Sequence, residues 1–200
     1  PWRVPSMDEL PPITPRIAKD ASSFKAYKRD ENILSREWAI PGMNGFQHRI
    51  GGLEKSVEGA VSHDPQNHQK NCEIRANKVK RVVEMVPDLE ICGDVEGGDV
   101  LAVSWGGTYG HMISAVREAR EQGKSVSLAH FNFINPLPAN TAEVFSKFKK
   151  IVVCELNLGQ FVSYLRDQVP GFTYYQANKV KGLPFTVLEL TQKFDELLEA

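Results

Sequence analysis

A chain of 200 residues with 42% hydrophobic and 24% charged side chains can bury one domain or one and a half, which excludes wholesale disorder. Its 24 basic and 25 acidic residues balance, so no electrostatic footprint for nucleic acid or an acidic membrane surface stands out. The three cysteines, Cys72, Cys92 and Cys154, are widely separated and form no Cys-x-x-Cys pair. That spacing speaks against iron–sulfur or zinc ligation within the chain and for a reducing cytoplasm, and no apolar run reaches membrane-spanning length.

Residues 1–70 open on Pro1-Trp2-Arg3 rather than Met, as expected of a piece of a longer protein, and carry six of the twelve prolines before position 42. Gly42, Gly45, Gly51, Gly52 and Gly59 follow, and no stretch sustains a period of 2 or of 3.6. Proline removes a backbone donor and glycine permits positive φ, so this half is expected to be an extended, irregular arm. Its Trp38, Ile40, Phe46 and Leu53 are too apolar for a free linker and are expected to lie against a neighbouring surface.

Regular structure is expected from residue 71 to 200. Ile74, Val79, Val82, Val83 and Val86 give a loose helical stripe over Asn71–Val86, ended by Pro87. Apolar runs predict strands at 99–105, 125–131, 151–155 and near 173–176. Helices fall between them: one from Tyr109 to Gly123, a short one at Thr141–Phe148, one from Gly159 to about Gln168, and a final amphipathic helix carrying Leu190, Phe194 and Leu197. Strands that are near-continuous apolar runs, alternating with helices, predict a three-layer α/β/α domain built on a mainly parallel, doubly wound sheet.

In such a sheet, ligands and partners meet the loops at the carboxyl ends of the strands. Two loops there are unusual. Gly106, Gly107, Thr108 and Tyr109 form a glycine-rich turn whose bared donors and helix start suit an anion. The turn matches neither phosphate-loop pattern and holds no basic residue, so it also reads as a tight turn with Thr108 capping the helix. Glu155, Asn157, Gly159 and Gln160 cluster polar groups at the end of the third strand, which suits a ligand or a subunit contact. Equally, Asn157 can cap the next helix while Glu155 pairs with a local donor. His63 and His68 are five residues apart, the wrong spacing for a metal pair on one helix face, and His111 and His130 read as structural. No catalytic and no metal-ligating residue is assigned. From the residues alone, a stand-alone anion- or nucleotide-binding module and a non-catalytic interaction domain both stay open.

Six blocks nevertheless resemble one family. They are Ile40–Glu54, His63–His68, Trp105–Gly110, Asn135–Pro138, Glu155–Gln160 and Asn178–Phe185. In this order they resemble the C-terminal region of the alpha subunit of 2-oxoacid:ferredoxin oxidoreductases of the 2-oxoglutarate type. The resemblance implies a transketolase-C-terminal-like domain, preceded by the end of another domain. It implies a whole enzyme that oxidatively decarboxylates a 2-oxoacid to its acyl-CoA with thiamine diphosphate, magnesium, an iron–sulfur cluster and coenzyme A, and reduces ferredoxin. Partners implied are the beta subunit and the upstream part of the alpha subunit, with ferredoxin reached through the complex. The cofactor-holding residues of the family match no position here, so this piece is expected to bind none of these groups. Gly107 departs from the family, where Ser is the commoner residue.

Overall fold

The structure is a computed structural model that describes residues 4–199, so Pro1–Arg3 of the expected arm lie outside the described residues. Backbone contacts divide the chain into two compact units, Pro1–Arg81 and Val82–Ala200.

Within the first unit, one 3-10 turn at Met7–Glu9 and three isolated bridges precede the helix α1, Pro65–Arg81. This segment packs on itself. Phe46 is buried with its ring centroid 5.1 Å from that of Phe24, and the Arg36 guanidinium lies 4.3 Å over the Tyr27 ring. The buried Lys55 ammonium donates to the Gly51 and Leu53 carbonyls. Of the four apolar residues expected to be covered, Trp38 (64% exposed), Ile40 (51%) and Leu53 (64%) are not covered by this chain.

Helix α1 begins six residues before the expected start. Asp64 accepts the Gln66 N–H at 2.9 Å, and Pro65 occupies the first helical position, where a missing N–H costs nothing. Contacts therefore group α1 with the preceding segment rather than with the α/β domain: the Asn67 and Asn71 side-chain amides both donate to the Lys55 carbonyl. Backbone contacts thus change partners at 81/82, eleven residues after the expected change at 70/71.

The second unit holds a five-stranded sheet. Its strands are β1 (Ile91–Cys92), β2 (Gly98–Trp105), β3 (Val126–Phe131), β4 (Phe148–Glu155) and β5 (Tyr174–Asn178), in the order β1-β3-β2-β4-β5. The four expected strands are parallel to one another, and β1, an edge strand the sequence reading missed, runs antiparallel to β3. Between them run α2 (Tyr109–Glu121), α3 (Thr141–Ser146) and α4 (Gln160–Gln168), and α5 (Val187–Glu199) follows β5.

Alternation along the strands fills both faces. Val100, Ala102, Leu128, Val152 and Cys154 meet Met112 and Val116 of α2 and Leu190 and Phe194 of α5. Leu101, Val103, Phe131, Ile151 and Val153 meet Phe145 of α3 and Phe161 and Leu165 of α4. The expected three-layer, doubly wound architecture is what forms. No helix among the described residues is long and apolar enough to cross a membrane.

Two buried groups make the unit sensitive to alkali. Tyr174 donates its hydroxyl to the Val169 carbonyl at 2.7 Å, and burial pushes its phenol up to about 12. Burial likewise pushes the Cys154 thiol up to about 12. Both raised values mean that the neutral form is favoured on folding. Their stabilising contribution is complete below the unfolded values, about 9 for the thiol and 10 for the phenol, and is lost as pH rises toward 12. The urea midpoint is expected to fall above pH about 9, with a shallower decline above pH about 10 in Tyr174→Phe. A midpoint that stays level to pH about 11 would contradict this.

Candidate functional site

Strand order reverses between β2 and β4, since the chain leaves β2 for β3 on one side and returns to β4 on the other. Both candidate loops leave the sheet at this switch point, one after Trp105 and one after Glu155. The Trp105 indole N–H reaches the Glu155 carboxylate at 3.4 Å, which ties the two loops together.

Glu155 is 0% exposed. One carboxylate oxygen accepts the Phe161 backbone N–H at 2.8 Å and the Asn157 side-chain N–H at 2.9 Å; the other accepts the Val162 N–H at 2.9 Å. The acidic side chain thus satisfies the otherwise orphaned donors of the first turn of α4, where negative charge also meets the positive end of the helix dipole. Asn157 completes the turn by accepting the N–H groups of Gly159 at 2.7 Å and Gln160 at 3.0 Å. Gly159 holds φ +95°, and an added Cβ would stand 2.7 Å from the Gln176 side-chain oxygen. Glu155, Asn157 and Gly159 are therefore the scaffold of the turn, not the exposed groups expected of a contact site. Of that quartet only Gln160 presents its side chain outward. It borders a depression of about 280 Å³ with Trp105, Ile134, Asn135, Phe161 and Tyr164.

The glycine turn behaves differently. Gly106–Thr108 form a 3-10 turn leading into α2, with Gly106 at φ +60° and both glycines exposed. Thr108 is buried and does not cap the helix; its hydroxyl donates to the Trp105 carbonyl at 2.8 Å. Tyr109 is half exposed and packs edge-on against His130 at a centroid distance of 5.1 Å.

His130, read from the sequence as structural, stands opposite Ser104 across the β2–β3 pair, with its Nδ1 2.8 Å from the Ser104 hydroxyl oxygen. Burial holds its imidazole below the usual histidine range, against a hydrogen bond with the Gly106 backbone. Gly106, Tyr109 and His130 line a cavity of about 500 Å³ whose other walls include Asp88, Glu90, Cys92 and Phe133. Two carboxylates and an imidazole disfavoured as a cation give this cavity the wrong charge for an anion. The phosphate-site reading of the glycine turn loses its electrostatic basis.

The loops at the carboxyl end of the sheet expose Tyr109, Phe133, Ile134, Leu156, Leu158, Val180 and Leu183, Leu158 to 85%. Seven large apolar side chains are thus exposed at this end of the sheet, and side chains of this kind are what partner proteins cover.

No family model matches the chain. It is 40% identical over 191 residues to the 2-oxoglutarate oxidoreductase subunit KorA of Mycobacterium tuberculosis, covering 95% of this chain and 29% of that protein. It is 28% identical over 153 residues to the 2-oxoglutarate synthase subunit KorA of Methanocaldococcus jannaschii, covering 76% of this chain and 40% of that one. The solved 2-oxoglutarate:ferredoxin oxidoreductase of Magnetococcus marinus, which holds 2-oxoglutarate, coenzyme A and succinyl-CoA, superposes with a TM-score of 0.87 at 25% identity. That match covers 97% of this chain and 34% of the solved one. The chain thus spans well under half the length of each of these relatives. With sequence and fold in agreement over nearly its whole length, it belongs to the family of 2-oxoacid:ferredoxin oxidoreductase alpha subunits, of which it is a part.

Proposed function

We propose that the protein containing this chain is the alpha subunit of a 2-oxoglutarate:ferredoxin oxidoreductase, and that the chain supplies a C-terminal domain which acts by subunit contact. The reaction is the oxidative decarboxylation of 2-oxoglutarate to its acyl-CoA, with ferredoxin as electron acceptor in the cytoplasm. The 40% identity to the Mycobacterium tuberculosis subunit, which runs through both units of the chain, carries this reading.

The chain's own groups do not fit the cofactors that the family implies. Among the described residues no three His, Cys, Asp or Glu side chains are grouped to share a metal ion. Cys154 is sealed in the core, and the glycine turn faces carboxylates rather than cations. In this reading no residue of this chain carries a step of the reaction. Thiamine diphosphate, magnesium, the iron–sulfur cluster and coenzyme A are assigned to the rest of the assembly. What the residues support is contact: the apolar loops at the carboxyl end of the sheet, and Trp38, Ile40 and Leu53 in the first unit. Covering such side chains stabilises an assembly by roughly 1.5–3 kcal/mol each when burial is complete.

The test joins binding and turnover. Titration of the purified chain with thiamine diphosphate and magnesium is expected to give no micromolar binding. A 2-oxoglutarate- and coenzyme-A-dependent viologen assay is expected to be silent. Activity is expected only when the chain is joined to the upstream part of the subunit and a beta subunit. Tight binding or reduction by the chain alone would overturn the assignment.

A further inference from the structure

Because α1 starts at Pro65, His68, Cys72 and Arg75 fall at positions i, i+4 and i+7 of one helix and share a face. Cys72 is exposed. Its sulfur lies 3.7 Å from His68 Nε2 and accepts a hydrogen bond from the Arg75 guanidinium at 3.2 Å. Glu54, from the loop before the helix, holds both neighbours: His68 Nδ1 is 3.1 Å from its carboxylate, and Arg75 donates to both of its oxygens at 3.3 and 3.2 Å. The carboxylate favours the tautomer that carries its proton on Nδ1, which leaves the Nε2 lone pair facing the thiol. The result is a nucleophile, a base, a group that orients the base, and a cation beside the sulfur.

Neither the fold nor the proposed subunit contact requires this arrangement. An Arg75–Glu54 pair alone would fasten the helix to the loop. The sulfur is the acceptor at the centre, and it is open to solvent.

We propose that Cys72 is a thiol modification site that forms a mixed disulfide with low-molecular-weight disulfides. The Cys72 thiol gives its proton to His68 Nε2, and the thiolate, its charge balanced by Arg75, attacks one sulfur of the incoming disulfide. The Cys72–sulfur bond forms as the disulfide bond breaks. The leaving thiolate departs with the electron pair and takes up the proton, so Cys72 is oxidised while one half of the reagent is reduced. Access decides selectivity, because Cys154 is buried within the sheet and Cys92 is partly covered in β1.

Oxidised glutathione is the probe, applied at neutral pH to the full chain, with adducts located by peptide mass spectrometry and initial rates measured for each cysteine. Cys72 is expected to react at least about fivefold faster than the same cysteine in urea, and faster than Cys92 and Cys154. Arg75→Gln and His68→Gln are each expected to slow it by about three- to tenfold. Arg75→Lys, which keeps a positive charge beside the sulfur, should recover part of the rate. Circular dichroism establishes that each variant is folded. A rate for folded Cys72 no higher than that in urea, or rates unchanged in both glutamine variants, would overturn the proposal. Iodoacetamide gives the same comparison without an exchange step, so failure with both reagents means that the cluster does not activate the thiol.

Discussion

Replacement of Glu155 by alanine is expected to destabilise the α/β unit by about 3 kcal/mol or more. The side chain is fully buried and accepts four hydrogen bonds, from the backbone of Phe161 and Val162, the indole of Trp105 and the amide of Asn157. Alanine strands these donors, and a buried donor left unpaired costs about 1–3 kcal/mol. Water entering the vacated space can satisfy some of them, which is why the expected loss is below the sum. Loss of a helix cap alone accounts for about 1 kcal/mol. Glu155→Gln separates charge from shape: the amide keeps one acceptor oxygen but turns an NH2 group toward donors, so an intermediate loss of about 1–2 kcal/mol is expected. Urea denaturation followed by circular dichroism measures both. An alanine variant within about 0.5 kcal/mol of the parent would remove Glu155 from its structural role and return it to the list of contact residues.

A comparable loss, about 3 kcal/mol or more, is expected for Gly97→Ala. Gly97 holds φ +124°, a conformation that L side chains rarely adopt, and an added Cβ would stand 2.1 Å from the Lys147 carbonyl oxygen. That oxygen accepts the Gly98 N–H at 3.1 Å, at the start of the central β2–β4 pair. Backbone, not a flexible side chain, is in the way, so the strands must part for the methyl group to fit. The control is Gly107→Ala, where an added Cβ meets nothing within 4 Å and the expected change is within about 0.5 kcal/mol. Gly107→Ser should be equally mild, since its Cβ meets the same open space. Equal unfolding midpoints for the alanine variants at 97 and 107 would show that the close approach at Lys147 is not a constraint.

The sequence by itself determined the sheet and its layers. Runs such as Val100–Val103 and Ile151–Cys154 are apolar at every position, which only a strand covered on both faces can bury, and the helix-length crossovers between them left parallel pairing as the outcome. The strand-end loops followed from the same reasoning, and they meet where strand order reverses. One local signal was present but outweighed, and one element carried none. Asp64-Pro65 is a helix start that the weak periodicity after Asn71 obscured, and with it went the His68–Cys72–Arg75 face. The two-residue β1 is too short to carry a period at all.

Tertiary structure alone decided what the polar residues do. Nothing in the order of letters distinguishes a Glu155 reaching into solvent from one folded back onto the amides of Phe161 and Val162, because the difference lies in how α4 returns over the end of β4. The same holds for His130. Its neighbours Ser104 and Tyr109 are distant in the chain and are brought to it by the β2–β3 register and by the turn into α2. Periodicity reports which face of an element is buried, since burial is a property of the pattern. A hydrogen bond between elements depends on the meeting of two particular atoms, and only the packed chain sets that distance.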